Sequence, residues 1–260
     1  KYRAKMAKAL LCAGGFSEIP VYAGESKPLE CTSVHGHPID YSELPHSYAE
    51  EYEGVEYDGD DAVGFLIRAL ESSEKKVTLV TLGALTNVAK VLQARPDLFG
   101  KIEKLCIMGG SYSMNWGEYN FCCDPKAASI VMGSGLPMQC VGVDITFQCK
   151  LSGQLLEEVV KHPHTCLQML NRMRKKWAGE VFLHDPLALI CSFNDSFITW
   201  QPMICAVESD AEYANGYVVK LSDPNWRKSA AESKQLVATA VDANAFTREY
   251  VRRVTEFSRE

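Results

Sequence analysis

The sequence predicts an α/β fold: an open, mostly parallel sheet, mixed rather than purely parallel, with helices on both faces. Three observations carry this. Residues 77–83, 105–110 and 138–143 are nearly continuous apolar runs, the pattern of strands buried on both faces. Between them, residues 62–70, 86–93 and 124–132 place apolar side chains at helical spacing. Each apolar run then stops at Gly83, Gly110 or Asp144, residue types that end a strand in a turn. Strands alternating with helices build a parallel sheet covered on both sides. Such sheets bind ligands beyond the carboxyl ends of their strands, so the site is expected at Leu82-Gly83, Gly109-Gly110 and Asp144.

Taken in chain order, residues 2–13 read as a helix stopped by Gly14-Gly15. Residues 19–24 read as a short strand closed by Gly24. Residues 25–58, rich in His, Pro, Glu and Tyr, read as a long loop region of the kind that carries function. The helix over 86–93 is followed by Pro96 in its connection, and the helix over 124–132 has Pro125 in its first turn. In the second half, helices are predicted over 152–160, 165–177 and 186–193, late strands over 218–221 and 236–241, and a closing helix over 243–257. No internal repeat, low-complexity stretch or linker interrupts residues 1–260, so one domain is expected.

Composition narrows the function classes. The 260 residues carry 27 Lys plus Arg against 33 Asp plus Glu, a formal charge of −6. An acidic chain lacks the basic face that nucleic acid or an anionic membrane requires. Its one dense cationic run, Arg172-Met173-Arg174-Lys175-Lys176, reads as a solvated helix face. No apolar stretch reaches the ~18 residues of a membrane span. The ten cysteines include no Cys-x-x-Cys pair, and Cys106 and Cys140 fall inside predicted strands. Free thiols in a reducing, cytoplasmic setting are the expectation. Gly-x-Gly-x-x-Gly after a strand, a Walker loop, Gly-x-Ser-x-Gly and His-Glu-x-x-His are all missing, so the fold is Rossmann-like without a dinucleotide motif.

What remains is a set of polar residues at strand ends. Glu118 and Asn120 are two apart, so in an extended segment both point the same way, and a carboxylate beside an amide can grip adjacent hydroxyls of a sugar. The plainer alternative is a loop Glu followed by an Asn that caps the next helix. Asp185 before Pro186 is an ordinary helix start. With His184 beside it, the pair can also donate a proton and bind a metal. His35-Gly36-His37 sits in the long loop and says less.

Together these segments resemble the inosine–uridine-preferring nucleoside hydrolases. Thr81-Leu82-Gly83-Ala84-Leu85-Thr86-Asn87 is similar to that family's Leu-Gly-Pro-Leu-Thr-Asn segment. Ile107-Met108-Gly109-Gly110, Glu118-Tyr119-Asn120 and Asp124-Pro125-Lys126-Ala127-Ala128 follow its Met-Gly-Gly…Ala-Glu-Phe-Asn…Asp-Pro-Glu-Ala-Ala run. Val141-Gly142-Val143-Asp144-Ile145-Thr146, His184-Asp185-Pro186 and Ile19-Pro20-Val21-Tyr22-Ala23-Gly24 fit as well. The resemblance implies hydrolysis of the N-glycosidic bond of ribonucleosides to free base and ribose, with a Ca²⁺-bound water as nucleophile. It implies Glu118 and Asn120 on the ribose hydroxyls, and Asp185 and the Leu82 carbonyl on Ca²⁺. His184 would serve the departing base, with the loop residue His35 near it. It also suggests a homodimer or homotetramer, and Trp116 leaves aromatic stacking on the base open beside His184.

Two departures from the family set further expectations. The family's N-terminal Asp-x-Asp-x-x-x-Asp-Asp, source of the water-activating aspartate and most Ca²⁺ carboxylates, has no counterpart upstream of the first helix. The chain is therefore expected to be truncated at its N-terminus and inactive as given. The alternative is a catalytically dead relative that binds nucleosides or protein partners. Asp58-Gly59-Asp60-Asp61 is not that motif, because charged residues precede it; Asp60 and Asp61 read as the start of the 62–70 helix. The loop before Glu118 is short, and Asn115 stands in for the family's asparagine at a different spacing.

Overall fold

The computed structural model describes residues 1–30, 33–34, 37–38, 50–177, 179–221 and 230–256. His35 and residues 39–49 of the long loop lie outside the described residues.

The apolar runs form the sheet. Strands β1 (Val77–Thr81), β2 (Ile102–Met108), β3 (Met138–Val141), β4 (Ile198–Pro202) and β7 (Gln235–Val241) stand in the order β1-β2-β3-β7-β4. The first three pairings are parallel and the last is antiparallel, so the sheet is mixed as expected. Leu105 pairs with Met138 and Ile107 with Cys140. Strand alternation then sends Leu105, Ile107, Met138, Cys140 and Val237 into one core. Met108, Val141 and Ala238 enter the other.

Helices cover each face. The first core takes its cover from α2 (Ala62–Ser72), α3 (Thr86–Ala94), α4 (Tyr119–Cys123) and α5 (Pro125–Met132). The second packs against α6 (Val143–Thr146), α7 (Gly153–Lys161), α8 (Thr165–Trp177), α9 (His184–Cys191) and α10 (Ala243–Glu256). Helix α1 (Tyr2–Ala13) has the predicted bounds. Asp124 caps α5 through the Ala127 N–H at 3.0 Å, and Pro125 occupies its first turn.

Several sequence expectations need correction. Residues 19–24 form no strand: Tyr22 makes a single parallel bridge to Gly59. Pro20 has no N–H to extend a ladder. The late strand expected over 218–221 does form, as β6 (Val218–Lys220), paired antiparallel with β5 (Cys205–Val207) outside the main sheet. Strands β4 and β5 were not anticipated, because Ile198-Thr199-Trp200-Gln201-Pro202 is partly exposed and ends in proline. The third strand stops at Val141, and residues 143–146 turn into α6.

The Asp58–Asp61 segment is structural, as expected. Asp61 caps α2 through the Gly64 N–H at 2.7 Å. Asp60 pairs with Lys1 at 2.8 Å and Asp58 with Lys8 at 2.9 Å. The nine described cysteines are free thiols. Among the described residues, no helix is long and apolar enough to cross a membrane.

Candidate functional site

Leu82, Gly109-Gly110 and Gly142 follow the carboxyl ends of β1, β2 and β3, and the arrangement there depends on how β2 ends. Gly110 has φ +77°, a conformation that L side chains rarely adopt. A Cβ there would lie 2.9 Å from both the Phe121 ring and Val218, and one on Gly109 would lie 2.5 Å from Phe121. The two glycines thus let Phe121, fully buried, slide beneath the strand end. That seats α4, and with it Glu118 and Asn120.

The extended geometry expected for Glu118 and Asn120 is replaced by a helix start. Glu118, not Asn120, is the cap: its carboxylate accepts from the N–H groups of Asn120 at 2.8 Å and Phe121 at 3.1 Å. It also accepts from Gly110 N–H at 2.9 Å. Burial pushes the Glu118 carboxyl up, against the pull of those three N–H groups, and the charge of Asp185 pushes the same way. Asn120 is buried, and its Nδ2 donates to the Met108 carbonyl at 2.9 Å. Its amide oxygen has no protein donor among the described residues.

His184 and Asp185 open α9 instead of preceding it; Leu183 stands at the cap position. Asp185 therefore lies in the first turn, where the helix dipole favours a carboxylate. Its surface is exposed, yet burial still pushes its pKa up to about 6. Among the described residues its carboxylate takes no hydrogen bond or ion pair. His184 is half-buried, and its Nδ1 lies 2.6 Å from Thr146 Oγ1. Burial lowers its pKa.

Aromatic rings stand around His184. The His184 ring meets Phe147 edge-on at 5.3 Å and Phe182 at 5.7 Å. Trp116 stacks on Phe147 at 5.5 Å, and half of Trp116 remains exposed. Ring contacts thus run from Trp116 through Phe147 to His184, and the charge of Asp185, the next residue, acts on Glu118. Leu82 follows β1 and is exposed. Asn115 is exposed in the 111–117 loop and makes no side-chain hydrogen bond among the described residues.

Thr146, Phe147 and Phe182 were not singled out from sequence. Thr146 was quoted in the Val143-Asp144-Ile145-Thr146 run without a role. Phe182 stands two residues before His184, whereas Phe147, next to Thr146, is brought to the histidine by the fold.

The fit of a Ca²⁺ ion is poor. Such an ion takes about six to eight oxygen ligands. Among the described residues no three His, Cys, Asp or Glu side chains gather as a metal-ligand set. Asp185 and the Leu82 carbonyl fall well short.

Comparisons with known proteins speak to family and fold. The family model described as inosine-uridine preferring nucleoside hydrolase matches residues 2–248. The pyrimidine-specific ribonucleoside hydrolase RihA of Shewanella sp. (strain MR-7) is 31% identical over 224 residues, covering 78% of this chain and 68% of that protein. RihA of Enterobacter sp. (strain 638) is 31% identical over 223 residues, covering 78% and 69%. Among solved structures, the plant nucleoside hydrolase PpNRh1 superposes with a TM-score of 0.80 at 22% identity, over 98% of this chain and 86% of that one. A purine-preferring ribonucleoside hydrolase from Gardnerella vaginalis gives 0.78 at 24% identity, over 99% and 86%. At such identities the structural likeness speaks to the fold.

Proposed function

The chain belongs to the inosine-uridine preferring nucleoside hydrolase family, and from that premise we propose that its strand-end site takes a ribonucleoside of the inosine or uridine type for cleavage to free base and ribose. The run of ring contacts from Trp116 through Phe147 to His184, with the Asp185 charge acting on the buried Glu118, carries this reading. It sets polar groups suited to a sugar beside aromatic rings suited to a base. Glu118 keeps unused lone pairs, and Asn120 keeps its amide oxygen; both can accept from ribose hydroxyls. His184 faces the base and supplies a hydrogen to it, which lowers the cost of expelling a nitrogen anion. Trp116 and Phe147 offer ring faces for stacking.

Hydrolysis also needs a base that activates water and, in the reading above, a cation. Glu118 has its carboxylate tied to three backbone N–H groups, and Asp185 cannot act at once as base and as cation ligand. The described residues do not fill a Ca²⁺ ligand set. We take these 260 residues to bind ribonucleosides without turning them over. A homodimer or homotetramer is the expected assembly.

Calorimetric titration with uridine, inosine and 2′-deoxyuridine, beside a ribose-release assay, tests the proposal. Expected are binding of both ribonucleosides, at least tenfold weaker binding of the deoxynucleoside and of uridine to Glu118→Gln, and no ribose release. A folded protein that binds no ribonucleoside overturns the site. Ribose release abolished by Asp60→Ala overturns both the inactivity and the structural role given to Asp60.

A further inference from the structure

Thr146 ends α6 with no exposed surface, and its hydroxyl touches two groups. His184 Nδ1 lies 2.6 Å away and the Val143 carbonyl 3.4 Å away. A hydroxyl has one hydrogen to give, and a neutral imidazole has one donor nitrogen and one acceptor nitrogen. The Val143 carbonyl already accepts the Phe147 N–H at 3.0 Å. A separation of 3.4 Å is also long for an O–H donor, which prefers about 2.5–3.0 Å. The hydroxyl hydrogen therefore goes to Nδ1, and the ring carries its own hydrogen on Nε2.

Two aromatic rings border the imidazole. Phe147 meets it edge-on at 5.3 Å and Phe182 lies at 5.7 Å. We propose that Thr146 is a positioning residue that fixes His184 as the Nε2–H tautomer, so that the neutral imidazole presents a standing hydrogen-bond donor to an acceptor atom of the bound base. The role of that donor rests on the ribonucleoside reading above; the tautomer does not. The acceptor it selects is a ring nitrogen or carbonyl oxygen of the base, and the hydrogen bond forms without prior protonation of the histidine.

Nitrogen-15 spectra of the imidazole rings, recorded on the alkaline side of their transitions, decide the matter. His184 is assigned by the signals lost in His184→Gln. Expected in the wild type is a bare Nδ1 and a hydrogen-bearing Nε2, kept in Thr146→Ser and shifted toward a mixture of tautomers in Thr146→Val. Thr146→Ala, which adds no bulk, carries the same expectation as the valine variant and serves if that one does not fold. A wild-type ring with its hydrogen on Nδ1, or a tautomer unchanged in both Thr146→Val and Thr146→Ala, overturns the proposal. Uridine titration then separates it from the reading it rests on. Binding about tenfold weaker in Thr146→Ala and unchanged in Thr146→Ser supports the donor role. Spectra as expected with no uridine binding to the wild type sink the ribonucleoside reading and the donor's role, and leave the tautomer standing.

Discussion

Two carboxylates show how far a folded environment moves one kind of residue. Asp185, at the strand-end site, is pushed up to about 6 by burial. Glu249 on α10 is pulled down to about 2, chiefly by its hydrogen bond to Arg252 and further by Arg253. Only the second is stabilising at neutral pH. A carboxyl whose folded pKa lies below its ordinary value contributes stability above that value and loses it as pH falls through the folded one. For Glu249 the window runs from about 4.5 down to about 2. Glu249→Gln should therefore lower stability at pH 7 by about 1 kcal/mol, because half-exposed arginine partners are screened by water. Urea denaturation from pH 7 to pH 2 should show the gap between variant and wild type closing at the acid end. The site residues differ in how visible they were in sequence. Glu118, Asn120, His184 and Asp185 stand in short motifs whose order along the chain identifies them. The capping role of Glu118 was not visible, because it depends on a turn of helix beginning at Tyr119. Thr146 and Phe147 leave no local signal at all, since their meeting with His184 is a property of the fold.

The elements around the site are held by close backbone approach more than by side-chain bulk. The β5–β6 hairpin brings Gly216 against α4: its φ is +85°, and a Cβ there would lie 2.6 Å from Cys122 Cα and 2.7 Å from Cys122 N. Gly117, just before Glu118, would crowd the Tyr217 ring at 2.6 Å in the same way. The hairpin thus clamps the short helix that Glu118 caps. Gly15 offers the matching control, with φ +80° and nothing within 4 Å of its Cβ position. Gly15→Ala should cost about 1–2 kcal/mol, the penalty of a left-handed backbone alone. Gly216→Ala should cost at least twice as much, because backbone atoms cannot yield as a flexible side chain can. Equal losses in a denaturation series would mean that the hairpin does not clamp α4. The sequence readily located long periodic elements such as α1 and α8, whose bounds agree with the spacing of their apolar residues. It missed β4, partly exposed and ending in proline, and β5, only three residues long; both become strands by pairing with β7 and β6.

At the scale of the whole molecule, the question is whether two cores make one folding unit. Leu105 is fully buried among the residues that α2, α3 and α5 cover. Leu187 is fully buried in the other layer, on α9. The two layers share β2, β3 and β7, whose alternate side chains enter opposite cores. If either layer unfolded, those strands would expose an apolar face to water, at roughly 25 cal/mol per Å² of newly exposed surface. The surviving layer would keep a sheet with nothing on its back, which a parallel sheet does not tolerate. Residues 1–260 should therefore melt as one domain. Leu105→Ala and Leu187→Ala should each cost about 3 kcal/mol through the cavity left behind. Each should lower a single midpoint by about 6–12 °C at this chain length, with far-ultraviolet circular dichroism and tryptophan fluorescence coinciding. An early transition in Leu187→Ala seen by one probe and not the other would divide the molecule into two units. The shared strands would then belong to the layer of Leu105, and the turn of α9 that carries His184 and Asp185 would belong to the weaker part.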